Sequence, residues 1–377
     1  MIEKTDEKRN TSSAVSESIQ LWTSNSPSRG DADTVKTYHS YLFRKILFVV
    51  ICIIIAFTVS GFALTQGPYD IGFWETYEII WNHITGNITN VTKDYVIWNG
   101  RLPRVIAGLV GGAGLAVAGA TMQSVLKNPL ADPYTTGISS GALFGATISI
   151  TLGFTLVAGN YGTIVNAFIF SLVPTIVIIA VSKVKNSSPT TMIMAGIAVM
   201  YIFNAFTTLM KLWSDPSALS DIYRWQVGTL VNIAWADLPL MTVITIAGVI
   251  FIQFASRKLN VLAMGDDNAK ALGVNAENLR ILCLIIVALI TASIVSFTGL
   301  IGFVGLVVPH IVRLFIGSDN RYLIPASAAF GAVLLMVADL VSRVIIAPTF
   351  LPVGVITAFI GCPLFIYLLI KQRKSMW

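Results

Sequence analysis

Residues 281–316 read "ILCLIIVALITASIVSFTGLIGFVGLVVPHIVRLFI", 36 residues with no polar break. As one helix at 1.5 Å per residue this run would reach about 54 Å, against a bilayer hydrocarbon core of about 30 Å. One straight span cannot hold it. Gly299, Gly302 and Gly305, with Pro309, mark where it can fold back. A turn at that depth has no water to satisfy its backbone, so other protein must surround it. The stretch therefore predicts two spans, 281–300 and 301–316, inside a larger bundle.

The same ruler, about 20 apolar residues per helix, finds eight more spans. They are 46–65, 105–126, 136–156, 163–182, 191–210, 238–255, 323–341 and 352–370. With 55% apolar and 12% charged residues over 377 positions, the chain lies outside the range of soluble globular domains. The expected fold class is an all-α integral membrane protein of ten transmembrane helices, a single bundle over 46–372. Ten spans divide into two five-helix halves, and an odd number per half inverts the second relative to the first, although no sequence repeat supports this.

Residues 1–45 are polar, lack apolar periodicity and carry no early oily core, which reads as a disordered tail and not a signal peptide. Placing both termini in the cytoplasm puts 19 of the 25 Lys and Arg residues inside, in keeping with the positive-inside rule. The net charge of +6 is then a consequence of topology, and no nucleic-acid partner is expected.

The second span carries Gly108, Gly112, Ala116 and Ala120 at strict four-residue spacing, a stripe that lets a neighbouring backbone approach closely in lipid. Charge within the spans is sparse, essentially His310, Arg313 and Asp339. Asp339 reads as a helix-end residue paired with Arg343 four positions on, worth a few tenths of a kcal/mol if exposed. A secondary carrier driven by protons or sodium would be expected to keep more acids at membrane depth. Cys52, Cys283 and Cys362 sit apart in oily segments and read as packing residues. His39, His83 and His310 are too dispersed for a ligand set, so no metal site is expected. No Ser/His/Asp, HExxH or paired-carboxylate arrangement points to an enzyme.

No GxxxxGK[ST] sequence occurs, so any ATP must be hydrolysed by another chain. A place for that chain is the loop at about 257–280, which reads as a short helix between Gly265 and Gly273. Asp266 and Asp267 suit its first turn, and Ala269, Leu272 and Val274 offer a small apolar edge that could dock into a partner's groove. A solvated linker fits the spacing equally well.

"RLPR" at 101–104, the following "GAGLAVAGATMQ" and "NPLADPYTTGISSGA" resemble the FecCD-type permeases of ABC importers. So do "GDDNAKALGV", "FTGLIGFVGLVVPHIVR", "ADLVSR" and "LPVGVITAFIGCPLF" further along. The resemblance covers roughly 45–372 and implies the type II importer fold in a prokaryotic cytoplasmic membrane. It implies two ATP-binding cassette ATPase subunits that use ATP and Mg, an extracytoplasmic substrate-binding protein, and a second permease copy or paralogue. No cofactor is expected on this chain.

By the same resemblance, Arg101, Arg104 and Arg343 would face acidic residues of the binding protein. Gly265, Asp266, Asp267, Ala269, Leu272, Gly273 and Val274 would couple to the ATPase. The fifth and tenth spans would line the pathway, with Ser188, Thr190 and Thr191 near "NSSPTTMIMAG" as the inner gate; a polar helix cap is the plainer reading of those three. The cargo implied is a metal chelate, ferric siderophore first, haem or cobalamin as alternatives.

Overall fold

The 36-residue run does fold back. One helix ends at Thr298, residues 299–303 turn, and a second helix runs from Val304 to Ile316. Other protein surrounds the turn, as its backbone chemistry demands. The Tyr134 hydroxyl donates to the Ile301 carbonyl at 2.9 Å and accepts from the Ile301 amide at 3.2 Å. The Thr229 amide donates to the Thr298 carbonyl at 2.7 Å. Phe303 takes a left-handed backbone, φ +68°, to begin the second helix.

The computed structural model describes residues 29–184, 188–346 and 349–371. These form fourteen α-helices: α1 Arg29–Thr65, α2 Phe73–Thr85, α3 Val91–Tyr95, α4 Leu102–Val125, α5 Ile138–Leu152, α6 Gly162–Val184, α7 Pro189–Leu212, α8 Pro216–Val227, α9 Leu238–Ala263, α10 Asp266–Ala271, α11 Ala276–Thr298, α12 Val304–Ile316, α13 Asn320–Val344 and α14 Val353–Lys371. A π-helical turn, Val96–Arg101, joins α3 to α4, and there is no strand among the described residues.

Each expected span has its helix: α1, α4, α5, α6, α7, α9, α11, α12, α13 and α14. Seven apolar stretches are long enough to cross a membrane, and α5, α12 and Val353–Tyr367 are shorter apolar helices. Helix α1 begins at Arg29, ahead of the expected boundary at 46. No proline or glycine interrupts residues 31–60, so the helix of the apolar run propagates backwards at little cost. Residues 1–28 of the expected tail lie outside the described residues. The chain divides after Leu47, and the packing described here lies within the second unit.

Helices α4 and α13 form the spine, antiparallel along their whole length. Arg104 meets Asp339 at one end, and the Ser124 hydroxyl donates to Asn320 Oδ1 at 2.9 Å at the other. Midway, Gly112 and Gly331 lie backbone to backbone, so a Cβ on either would collide with the other's carbonyl. Gly108 of the same stripe leaves room for Met336, and Ala116 abuts Gly331. Removing the side chains at this crossing lets backbones approach in the way expected where no water is present to drive helices together.

Helix packing repeats with a shift of five spans. The α4–α13 contact has its counterpart in α11–α6, α5–α6 in α12–α13, and α5–α7 in α12–α14. Likewise α6–α7 matches α13–α14, α4–α12 matches α11–α5, and α4–α11 matches itself. Helix α4 ends where α11 begins, since Arg280 Nε donates to the Val125 carbonyl at 3.2 Å. Equivalent helices therefore run in opposite directions, the arrangement of an inverted repeat.

Candidate functional site

The end of the bundle where α1 finishes collects three arginines, two of them on one carboxylate. Arg104 Nε donates to Asp339 Oδ1 at 2.8 Å and its Nη2 lies 2.7 Å from the same oxygen. Arg343, one turn beyond Asp339 on α13, donates from Nε and Nη2 to Oδ2 at 2.9 and 2.6 Å. Arg104 Nη2 also reaches the Ser342 hydroxyl at 3.2 Å, and its guanidinium lies 4.8 Å from the Phe350 ring centroid.

The remaining donors close the C-terminus of α1. A helix leaves its last four carbonyls without intrahelical partners and gathers partial negative charge there. Arg343 Nη1 donates to the Ala63 carbonyl at 2.7 Å, and Arg101 Nη1 to the Leu64 and Thr65 carbonyls, each at 2.7 Å. The Gln66 amide takes the Phe62 carbonyl at 3.3 Å, and Arg101 Nη2 donates to the Tyr69 carbonyl. Three spans are thus tied together by cations that replace the water a free helix end would use.

The expected surface arginines are therefore brought together but turned inward. Arg101, Arg104 and Arg343 expose 6, 4 and 4% of their surface and Asp339 none. The Asp339–Arg343 pair is present, but the weak magnitude of an exposed pair does not apply to it. Two desolvated guanidiniums share one buried carboxylate, and breaking such a pair costs several kcal/mol. Above the cluster opens a cleft of about 340 Å³, with all three arginines, Tyr69, Tyr95 and Val231 among its lining. Asp339 pairs with Arg104 and Arg343, and Asp70 acts on Arg101 from nearby, so three cations face two carboxylates and the cleft floor keeps a positive excess suited to an anionic group.

At the other end of α4 lies the short helix α10. Gly265, φ +120°, and Gly273, φ +76°, set its limits, and Asn275 caps the start of α11 by accepting from the Asn278 amide at 3.0 Å. Asp266 does not wait in solvent. It binds Lys127 at 2.8 Å and Arg280 at 2.9 Å, fastening α10 to the end of α4 and the start of α11. Burial opposes its ionisation, but the hydrogen bonds from Lys127 and Arg280 outweigh it and hold the carboxyl below its ordinary value of 3.8. Ala269, expected on the apolar docking edge, is fully buried against its own chain. The outward edge consists of Met264 and Leu272, both exposed, with Val274 half-buried and Asp267 exposed.

At the start of α7, Ser188 caps the helix: its hydroxyl accepts from the Thr191 amide at 3.1 Å and pairs with the Thr191 hydroxyl at 2.8 Å. Thr190 is exposed. Asn186 and Ser187 of the same motif lie outside the described residues. Helix α7 shows an uncovered apolar face that includes Met194, Tyr201 and Phe206, and α14 one that includes Phe359 and Ile366. An open cleft of about 690 Å³ between α8 and α14 is lined by Tyr223, Gln226, Leu300, Phe359 and Cys362, among others. Its lining is largely apolar. Cys362 faces this cleft and is exposed, whereas Cys52 and Cys283 are buried as expected of packing residues.

The profile of the FecCD transport family matches residues 48–371. The chain belongs to this family. Among its relatives, the hemin transport system permease protein HmuU of Yersinia pestis is 36% identical over 80% of this chain and 89% of its own length. The Fe(3+)-citrate import system permease protein YfmD of Bacillus subtilis is 33% identical over 89% of this chain and 99% of its own. The cobalamin import system permease protein BtuC of Halobacterium salinarum is 38% identical over 74% of each. A solved inward-facing conformation of an ABC transporter of the metal-chelate type superposes with a TM-score of 0.76 at 28% identity, covering 86% of this chain and 99% of that one.

Sequence reasoning missed two things in this FecCD bundle. The capping role of the arginines was hidden because Arg343 and Ala63 are 280 positions apart. The Tyr134 lock on the 299–303 turn was hidden in the same way, with 167 positions between partners. The local signal available for the first was that "RLPR" and "ADLVSR" carry complementary charges at the ends of two helices with matching small residues.

Proposed function

We propose that this chain is the membrane-spanning permease subunit of an ATP-driven importer of a metal chelate, with ferric siderophore as the leading cargo and haem or cobalamin as alternatives. The observation that carries the proposal is the ten-span bundle itself, 86% of the chain superposing on a metal-chelate type ABC transporter. Relatives named for hemin, ferric citrate and cobalamin agree on the cargo class.

In this reading both termini are cytoplasmic and the arginine end faces outward. A loaded binding protein docks there, its acidic side chains entering the positive cleft above Arg101, Arg104 and Arg343. Such contacts serve capture and orientation more than affinity. The uncovered faces of α7 and α14 meet those of a second permease copy around one pathway, whose inner gate lies near Ser188, Thr190 and Thr191. Two ATPase subunits, which supply the ATP and Mg chemistry, dock at Leu272, Asp267 and the rest of the α10 loop. The tether from Asp266 to Lys127 and Arg280 then delivers their movement to α4, the helix whose far end carries the arginines.

Reconstituted in liposomes with its ATPase, the chain should take up chelate only with ATP, and a Walker lysine substitution in the ATPase should abolish uptake. Uptake that follows a proton gradient without any ATPase would overturn the proposal in favour of a secondary carrier. Val231→Glu tests docking without touching the caps, because Val231 lines the cleft and is 38% exposed. It should weaken binding-protein capture and leave the bundle folded; unchanged capture would remove the cleft from the docking site.

A further inference from the structure

The connection between α1 and α4 contains a helix with three distinct sides. At 100° per residue, Thr76, Ile79 and His83 of α2 share one side, which packs on the protein. Thr76 and Ile79 are buried, Ile79 with Ile71 and Ile97, and His83 Nδ1 lies 2.8 Å from Asp94 Oδ1. A second side carries Trp74, Tyr77, Trp81 and Ile84, exposed by 82, 42, 66 and 64%. The third is polar: Glu75, hydrogen-bonded to Lys93, with Glu78 and Asn82.

A helix end fully in water has no use for four large apolar side chains in one row. The row is also not isolated. Phe62 on α1 lies 5.4 Å, centroid to centroid, from Phe73, which in turn lies 5.3 Å from both Trp74 and Tyr77. Gly61 leaves the space the Tyr77 hydroxyl occupies. The apolar surface of α1, where Ile54, Phe57 and Phe62 stand exposed in a membrane-length helix, therefore runs without a break onto the Trp74 side of α2.

We propose that α2 lies in the plane of the membrane, with Trp74, Tyr77, Trp81 and Ile84 inserted at the lipid interface and Glu78 and Asn82 facing water. Tryptophan and tyrosine favour this zone because their rings are amphipathic. A three-sided helix, one face on protein, one apolar and one charged, satisfies lipid, protein and water at once. The contact fixes the height and angle at which α1 leaves the bilayer, and so the height of the arginine cleft built on the end of α1.

The full-length chain in lipid nanodiscs, with its native cysteines replaced, is spin-labelled singly at Trp74→Cys, Trp81→Cys, Ile84→Cys, Glu78→Cys and Asn82→Cys. Collision with oxygen and with an aqueous nickel chelate is then measured. Labels at 74, 81 and 84 should favour oxygen and those at 78 and 82 the nickel chelate, a reversal with helical period. Nickel access at all five positions would overturn the proposal. So would exclusion of both reagents at 74 and 81, which would mean that another protein covers the row. Brominated-lipid quenching of the wild type against Trp74→Phe/Trp81→Phe reads the same contact without cysteines. The variant should lose most of the lipid-quenched emission, and an unchanged quenched fraction would count against the proposal.

Discussion

Replacing Asp339 by Asn should destabilise the bundle far more than any surface charge change. The substitution keeps shape and volume but removes the one negative charge that Arg104 and Arg343 share, leaving two guanidiniums buried at 4% exposure each. Breaking a buried ion pair by removing one partner costs about 3–5 kcal/mol, because the surviving charge stays out of water. Asn can still accept one hydrogen bond, which favours the lower end of that range. At about 2 °C per kcal/mol for a chain of this size, the melting temperature of the purified protein should fall by roughly 5–10 °C. Arg343→Met is the graded control: it keeps the Arg104–Asp339 pair but uncaps the Ala63 carbonyl, so it should fall between wild type and Asp339→Asn. Thermal unfolding in detergent, followed by the fluorescence of a thiol or core probe, reads both. An Asp339→Asn protein within about 2 °C of wild type would mean that the cluster is solvated and does not staple the helices.

Gly112→Leu should abolish monodisperse protein in size-exclusion chromatography, since even a Cβ there collides with the Gly331 backbone, whereas Gly302→Ala, with open space at its Cβ, should behave as wild type. Ser188→Ala should cost about 1 kcal/mol of stability through the lost cap of α7, and Thr190→Ala almost nothing, as measured by denaturant or heat. The Asp266 tether has a defined pH sign: its carboxyl is depressed in the folded state, so its contribution is present above the unfolded value near 3.8 and is lost as pH falls below it. Asp266→Asn should remove that acid-side loss in a pH titration of stability and weaken the coupling of ATP hydrolysis to uptake.

The spans were legible because hydropathy is a local property: a run of apolar residues can be measured along the chain without knowing its neighbours. Residues 281–316 even revealed their own turn, since length against bilayer thickness leaves no alternative. The inverted pairing of halves was legible only as arithmetic, five and five, and is written in packing and not in repeated sequence. Burial of charge was not legible. Arg104 and Asp339 are 235 positions apart, and the complementary charges of "RLPR" and "ADLVSR" do not by themselves say that they meet. The same limit hid the inward side of Ala269, which joins the main buried core, while the lipid-facing row on α2 is too short and too mixed to register against a 20-residue window. The start of α1 at Arg29 lies beyond what hydropathy can mark, because an established helix propagates readily into a segment free of proline and glycine.

Whether this permease imports metal chelate can be decided by one uptake experiment. A strain lacking the chain is complemented with it, and accumulation of radiolabelled ferric siderophore, haem and cobalamin is followed with its ATPase intact or disabled. Accumulation of one of the three, lost when the ATPase is disabled, is the predicted result. No accumulation of any of them by a correctly inserted, folded chain with its ATPase intact, or accumulation indifferent to the ATPase, would contradict it.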